Sequence, residues 1–197
     1  YYQKDYLNAE NLFKNYVENF PNGPRAEECE YMRAYSFYKQ SPKVELDQTN
    51  TTKTMGLMQT YVSTHPNGSK VAEATAIIDG CRLKLEDKEF KAAELYYNLG
   101  YYKAAAIAYA SVIDNYPDSD RSDMYKLQAI KAYAKYADMS VPDKQEERYG
   151  KVISECSDFA ERFPDSKFAA EVAKFKSSSI NNIKNLKNEQ IKTTTQR

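Results

Sequence analysis

The sequence predicts an all-α protein assembled from repeated antiparallel helix pairs, and three observations carry that expectation. Glycine is scarce, with 6 in 197 residues, so few positions need the turn conformations that punctuate β-rich chains. One four-residue phrase, a ring-bearing residue followed by Pro, Asn or Asp, and Gly or Ser, recurs four times. Ahead of it runs an apolar stripe with a period near 3.6 residues, the signature of an amphipathic helix.

The phrases are Phe20-Pro21-Asn22-Gly23, His65-Pro66-Asn67-Gly68, Tyr116-Pro117-Asp118-Ser119 and Phe163-Pro164-Asp165-Ser166. Their prolines stand 45, 51 and 47 residues apart. Proline cannot continue a helix and drives its predecessor into extended backbone. Asn or Asp then favours a turn, and Gly or Ser lets the next helix start. Each phrase therefore closes one helix and opens another.

Taken in order, the first stripe is Tyr6, Ala9, Phe13, Tyr16, Val17 and Phe20. The second copy carries Thr54 and Met58 at the small and aromatic positions of the same pattern, and the segment Ser41–Asn50 ahead of it reads as a long connection. From Ser69 to Leu99 there is no proline and only Gly80, so one long or bent helix is expected. Ala72, Ala76, Cys81, Leu83, Leu85 and Phe90 are its expected apolar contacts, and its length accounts for the widest interval. The third stripe is Tyr102, Ala105, Tyr109, Val112, Ile113 and Tyr116. Ser140–Glu147 reads as a second long connection before the fourth stripe, which includes Tyr149, Val152, Cys156, Phe159 and Phe163. Beyond Ser166 the chain turns rich in Lys, Asn and Ser, with Phe168, Val172, Phe175, Ile180, Ile183 and Leu186 spaced along it. That is the composition of a terminal capping helix fraying toward Thr193, with the polar outer face that a repeat array needs at its end.

The stretch AELYYNLGYYKAAAIAYASVIDNYPDS, residues 93 to 119, resembles a tetratricopeptide repeat through Tyr96, Gly100, Tyr102, Ala105, Tyr109 and Pro117. KDYLNAENLFKNYVENFPN, residues 4 to 22, is similar to the second half of the same unit, so a partner helix is expected to precede Tyr1. Ala at the small position lets two helices approach closely, and the aromatic after it fills the space between repeats. The resemblance implies a tetratricopeptide-type α-solenoid of about five repeats, the first truncated. With YMRAYSFYKQ (residues 31 to 40), the lengthened repeats and the helix leading into AAELYYNLGYYKAA, the chain resembles the BamD family of periplasmic outer-membrane lipoproteins. Intervals longer than the roughly 34 residues of the common repeat fit that resemblance.

The resemblance to that family implies attachment to the periplasmic face of the outer membrane through a lipidated N-terminal Cys that lies outside this sequence. It implies a BamA-type barrel insertase, bound through its periplasmic domains, and unfolded outer-membrane protein precursors as partners, with other assembly-complex lipoproteins beside them. Residues 67–175 would form the docking half, residues 1–66 the precursor-receiving half, and residues 176–197 a polar cap and tail. Another periplasmic or cytoplasmic tetratricopeptide adaptor is the alternative.

The residues themselves exclude other classes. Lys plus Arg and Asp plus Glu each number 28, so no global charge draws the chain to nucleic acid. No apolar run approaches the roughly 20 residues of a spanning helix. Cys29, Cys81 and Cys156 lie far apart among small or apolar neighbours and read as buried thiols, without a CxxC or Cys/His cluster. The single His, His65, stands where the other phrases have Phe or Tyr, so it is expected to plug a helix end. No phosphate loop, HExxH or paired-carboxylate motif is present, and neither an enzyme activity nor a cofactor is expected. A binding groove is expected instead, lined by aromatics at helical spacing: Tyr31, Tyr35 and Tyr38 on one helix, and Phe90, Glu94, Tyr97 and Tyr101 on another. The 18 Tyr supply large amphipathic surfaces that serve both helix seams and such grooves.

Overall fold

Four helix-closing phrases give four corners of one geometry. In the computed structural model, which describes residues 4–195 apart from the side chains of Gln190 and residues 192–195, the described chain is eight α-helices without a strand. They are α1 (Tyr6–Asn19), α2 (Ala26–Gln40), α3 (Thr49–Thr64), α4 (Val71–Asn98), α5 (Tyr102–Asn115), α6 (Ser122–Asp138), α7 (Pro142–Arg162) and α8 (Ala169–Thr195). The helices that end at the four phrases are α1, α3, α5 and α7. Each closes on the ring residue before Pro, with φ between −125° and −134° and ψ between 58° and 63°. Two backbone bonds then repeat at every corner, from the Gly or Ser N–H back to the ring residue's carbonyl and from the first residue of the next helix to the Gly or Ser carbonyl, all between 2.9 and 3.2 Å. The result is a tetratricopeptide-like, all-α fold in which each helix turns back onto its neighbour.

The registers match as the sequence demands. Counted back from each proline, the small position holds Ala9, Thr54, Ala105 and Val152, and every one is buried. Thr54 and Met58 depart from the pattern in chemistry but not in place, since both are fully buried. Thr54 satisfies its hydroxyl by donating to the Asn50 carbonyl at 2.7 Å, which removes the cost of burying it.

The chain divides into two compact units between Lys88 and Glu89, inside α4. In the first, α1 packs on α2 and α2 on α3. Tyr31, Ala34, Met58 and Tyr61 join Ala74, Ile77 and Cys81 from the start of α4 in its core. The connection over residues 41–48 is fastened to α4: Lys84 Nζ donates to the Pro42 carbonyl at 3.1 Å, and Lys88 Nζ to that of Glu45 at 2.7 Å. Gln48, nearly buried, donates from inside the loop to the Lys43 and Leu46 carbonyls. In the second unit, α5 packs on α6, α6 on α7 and α7 on α8. Ala93, Ala105, Ala106, Tyr109, Ala129 and Ala132 form its alanine-rich contact, and Val152, Cys156, Phe159 and Val172 a second cluster with Leu127 and Ile130.

Two sequence expectations are corrected. Ser140–Glu147 is not a long connection: only residues 139–141 separate α6 from α7, and Pro142 occupies the first turn of α7 with Asp143 beside it. Proline is tolerated there because that N–H would have no intrahelical partner anyway, and the acid suits the helix N-terminus. Along α4, the core residues of the first unit are Ala74, Ile77 and Cys81, whereas Ala72, Ala76 and Leu83 are exposed. One stripe does not serve both halves of that helix; Phe90, Ala93 and Tyr97 supply the second. The single long helix itself is as expected. At its end the Gly100 φ of +82°, with Tyr101 N–H bonded to the Tyr96 carbonyl and Gly100 N–H to that of Tyr97, forms a left-handed glycine cap. Phe168, Val172 and Phe175 seat α8 on the last core, and its backbone is helical through Thr195, past the Thr193 near which the sequence predicts fraying.

Candidate protein-binding clefts

Aromatic side chains that recur every helical turn can form either a seam or a surface, and here they do both. Tyr31 is 4% exposed and belongs to the first core, edge-on to Tyr61 at 5.6 Å. Tyr35 stacks on it at 5.8 Å and is half-buried. Tyr38 continues the row at 5.7 Å from Tyr35 and reaches the surface, with the Lys39 ammonium 5.0 Å from the Tyr35 ring centroid. The three tyrosines thus run as one strip from core to solvent. In the second unit Phe90 packs between Tyr109 and Tyr125, Tyr97 packs half-buried against Tyr102, and Glu94 and Tyr101 are exposed. Leu95, Tyr96 and Leu99 are exposed in the same stretch, so the end of α4 is an apolar surface.

Each unit also holds a cleft that was not anticipated, and the two occupy the same place in the repeat. The first, about 620 Å³, lies among α1, α2 and α3; the second, about 380 Å³, among α5, α6 and α7. In both, a lysine on the later helix lies over an aromatic on the middle helix: Lys53 over Phe37 at 5.3 Å, and Lys151 over Tyr133 at 5.7 Å. Lys53 and Lys151 each sit 13 residues before their proline, and Phe37 and Tyr133 each 16 after the preceding one. This recurrence of Lys and ring at fixed distances from Pro is the signal by which the sequence could have disclosed the clefts.

Their electrostatics differ. In the first cleft Arg33 Nε donates to Glu10 Oε1 at 3.0 Å, holding a carboxylate that is only 7% exposed. In the second the residue equivalent to Glu10 is Ala106. There the half-buried Arg148 lies 4.0 Å from the Tyr136 ring centroid and donates to Ser140 Oγ. Among the described residues it has no carboxylate partner, and Lys103 on the facing helix makes no ion pair. Lys144 and Glu147 face each other loosely at 3.6 Å, both exposed. Below the cleft Glu155 is the shared partner of Lys126 at 2.6 Å and Lys151 at 2.5 Å. Burial pushes the Glu155 carboxyl up, but the hydrogen bonds from the two ammonium groups outweigh it and the net shift is downward.

The remaining reactive groups are arranged for structure. Burial raises all three thiols, Cys156 to about 11, so they are protonated at neutral pH and poorly nucleophilic. Burial also raises the phenols of Tyr109 and Tyr149 to about 12. His65 caps α3, packs on Tyr61 at 5.3 Å and meets Glu30 Oε2 at 2.8 Å, so it plugs the helix end as its position in the phrase foretold. Among the described residues no cluster of His, Cys, Asp and Glu is placed to hold a metal ion, and no helix is long and apolar enough to cross a membrane.

Residues 1–149 match the family described as YfiO, outer membrane lipoprotein. The chain is similar to the putative outer membrane protein assembly factor BamD of Aquifex aeolicus (strain VF5), 27% identical over 131 residues, covering 66% of this chain and 43% of that protein. It is also similar to the outer membrane protein assembly factor BamD of Caulobacter vibrioides (strain ATCC 19089 / CIP 103742 / CB 15), 23% identical over 133 residues, covering 68% of this chain and 44% of that one. The chain therefore spans less than half the length of these relatives.

Proposed function

The chain belongs to the YfiO family of outer membrane lipoproteins, and from that premise we propose that it is a non-catalytic scaffold for the assembly of β-barrel proteins into the outer membrane. The observation that carries the reading is the family match over residues 1–149, which contains three of the four corners. The relatives' designation as assembly factors supports it. The physical form also suits it. Helix pairs stacked through small residues leave their ring-bearing faces available to polypeptide partners, and protonated, buried thiols offer no nucleophile.

In this reading residues 67–175 dock the periplasmic domains of a BamA-type insertase. Residues 1–66 receive unfolded barrel precursors, whose alternating strands match the aromatic strip that rises from Tyr31 in the core through Tyr35 to Tyr38 at the surface; the surface of Glu94, Tyr97 and Tyr101 over Phe90 belongs to the docking half. A lipid anchor on the full-length protein holds it at the periplasmic face. The test is purification of the tagged full-length protein from detergent-extracted outer membranes, with mass spectrometry of what accompanies it. Recovery of a barrel insertase in stoichiometric amount is expected. Recovery of the tagged protein without one overturns the proposal.

A further inference from the structure

The second cleft is lined by Lys103, Lys144, Arg148 and Lys151 against one exposed acid, Glu147, and lacks the buried carboxylate that Glu10 supplies in its counterpart. In the first cleft an internal carboxylate, Glu10, lies in the groove and is held by Arg33. In the second, Arg148 and Lys103 face the same kind of groove, and the residue equivalent to Glu10 is Ala106. Arg148 is preorganised: its guanidinium stacks on Tyr136 and one Nη is fixed on Ser140, which leaves the other edge of the fork for a planar acceptor. Ile107, 51% exposed, and the half-buried Tyr133 present apolar surface beside these cations. Lys151 is already engaged by Glu155 and Lys144 lies out at the exposed rim beside Glu147, so Arg148 and Lys103 are the cations that face a ligand within the cleft.

We infer that the cleft among α5, α6 and α7 takes an extended acidic segment of a partner polypeptide, with a Glu or Asp carboxylate on Arg148 and Lys103 and a neighbouring apolar side chain against Ile107 and Tyr133. The apolar wall of Ile107 and Tyr133 next to the cations favours a polypeptide over a free anion, because phosphate alone has no use for it. This inference does not depend on the role in barrel assembly, since it concerns what the isolated chain binds.

The experiment measures fluorescence anisotropy of short labelled peptides, amidated at the C-terminus, in which Glu or Asp alternates with Phe or Leu. The same peptides with Gln and Asn are the neutral controls. The purified chain is expected to bind the acidic peptides, less tightly as salt rises, and to ignore the neutral ones. Arg148→Gln and Lys103→Gln should each weaken binding about tenfold, the usual scale for losing a charge-assisted hydrogen bond. Because Arg148→Gln could disturb the α6–α7 turn, a second pair separates folding from recognition. Ile107→Glu both removes the apolar wall and supplies an internal carboxylate and should abolish binding, whereas Ile107→Gln removes only the apolar contact and should weaken it by a lesser factor. Equal binding of acidic and neutral peptides, or equal affinity in the Ile107 pair, overturns the inference. So does competition by inorganic phosphate or phosphatidylglycerol vesicles that the acidic peptides fail to match.

Discussion

Tyr61 and Gly68 show how a single side chain dictates its neighbour. A Cβ on Gly68 would come within 2.8 Å of the Tyr61 hydroxyl and 2.5 Å of Glu27 Oε1, and one on Gly23 within 3.0 Å of the Tyr16 hydroxyl. Where the equivalent residue five before proline is Val112 or Phe159, with no hydroxyl, the corner carries Ser119 or Ser166 instead. Gly68→Ala should therefore cost about 1 kcal/mol through overpacking, and distinctly less in a Tyr61→Phe background; urea denaturation of the double-mutant cycle measures the difference. Gly100 poses a different demand, that of the left-handed backbone at φ +82°. Gly100→Ala should cost about 1 kcal/mol by strain alone, seen as a lower midpoint in the same denaturation. Glu155 adds a pH dependence. Its folded carboxyl lies below the ordinary 4.5, so the stability from its pairing is complete above that pH and is lost as pH falls through the lowered value. Acid denaturation of Glu155→Gln should show a shallower decline below pH 4.5 than the parent chain.

The stripes before each proline were legible at the element scale because burial of one face fixes both period and phase. The fourth helix of that kind, α7, buries Val152, Cys156 and Phe159 as its spacing requires. Phe159→Ala should cost about 4 kcal/mol, the scale for emptying a fully buried aromatic site, whereas Ala160→Ser, on the exposed side of the same turn, should be near neutral; thermal melts of both variants compare them. The start of α7 was not legible, because Pro142 and a run of charged residues read equally well as a loop or as a helix's first turns. What decides is position, since proline at the first turn forfeits no hydrogen bond. The α4 stripe misled for a related reason. Ala72, Ala76 and Leu83 are apolar and helical yet exposed, and alanine contributes too little hydrophobic area to reveal a face by itself.

Repetition made the whole molecule readable: four corners with one geometry, each six residues from helix end to helix start, declare a helical array before any contact is known. The clefts were harder to see because they are assembled from three helices each, and only the distances of Lys53, Lys151, Phe37 and Tyr133 from their prolines betray them. Tyr31 illustrates a further limit, for periodicity places it on the same face as Tyr38, yet one lies in the core and the other in solvent. Sequence spacing gives direction around a helix, not depth beneath the surface. Depletion of the full-length protein in its own cells, followed by quantification of folded β-barrel proteins in the outer-membrane fraction, tests the central claim most directly. The barrels should fall severalfold while inner-membrane proteins hold steady, and an unchanged complement of folded barrels after depletion would contradict it.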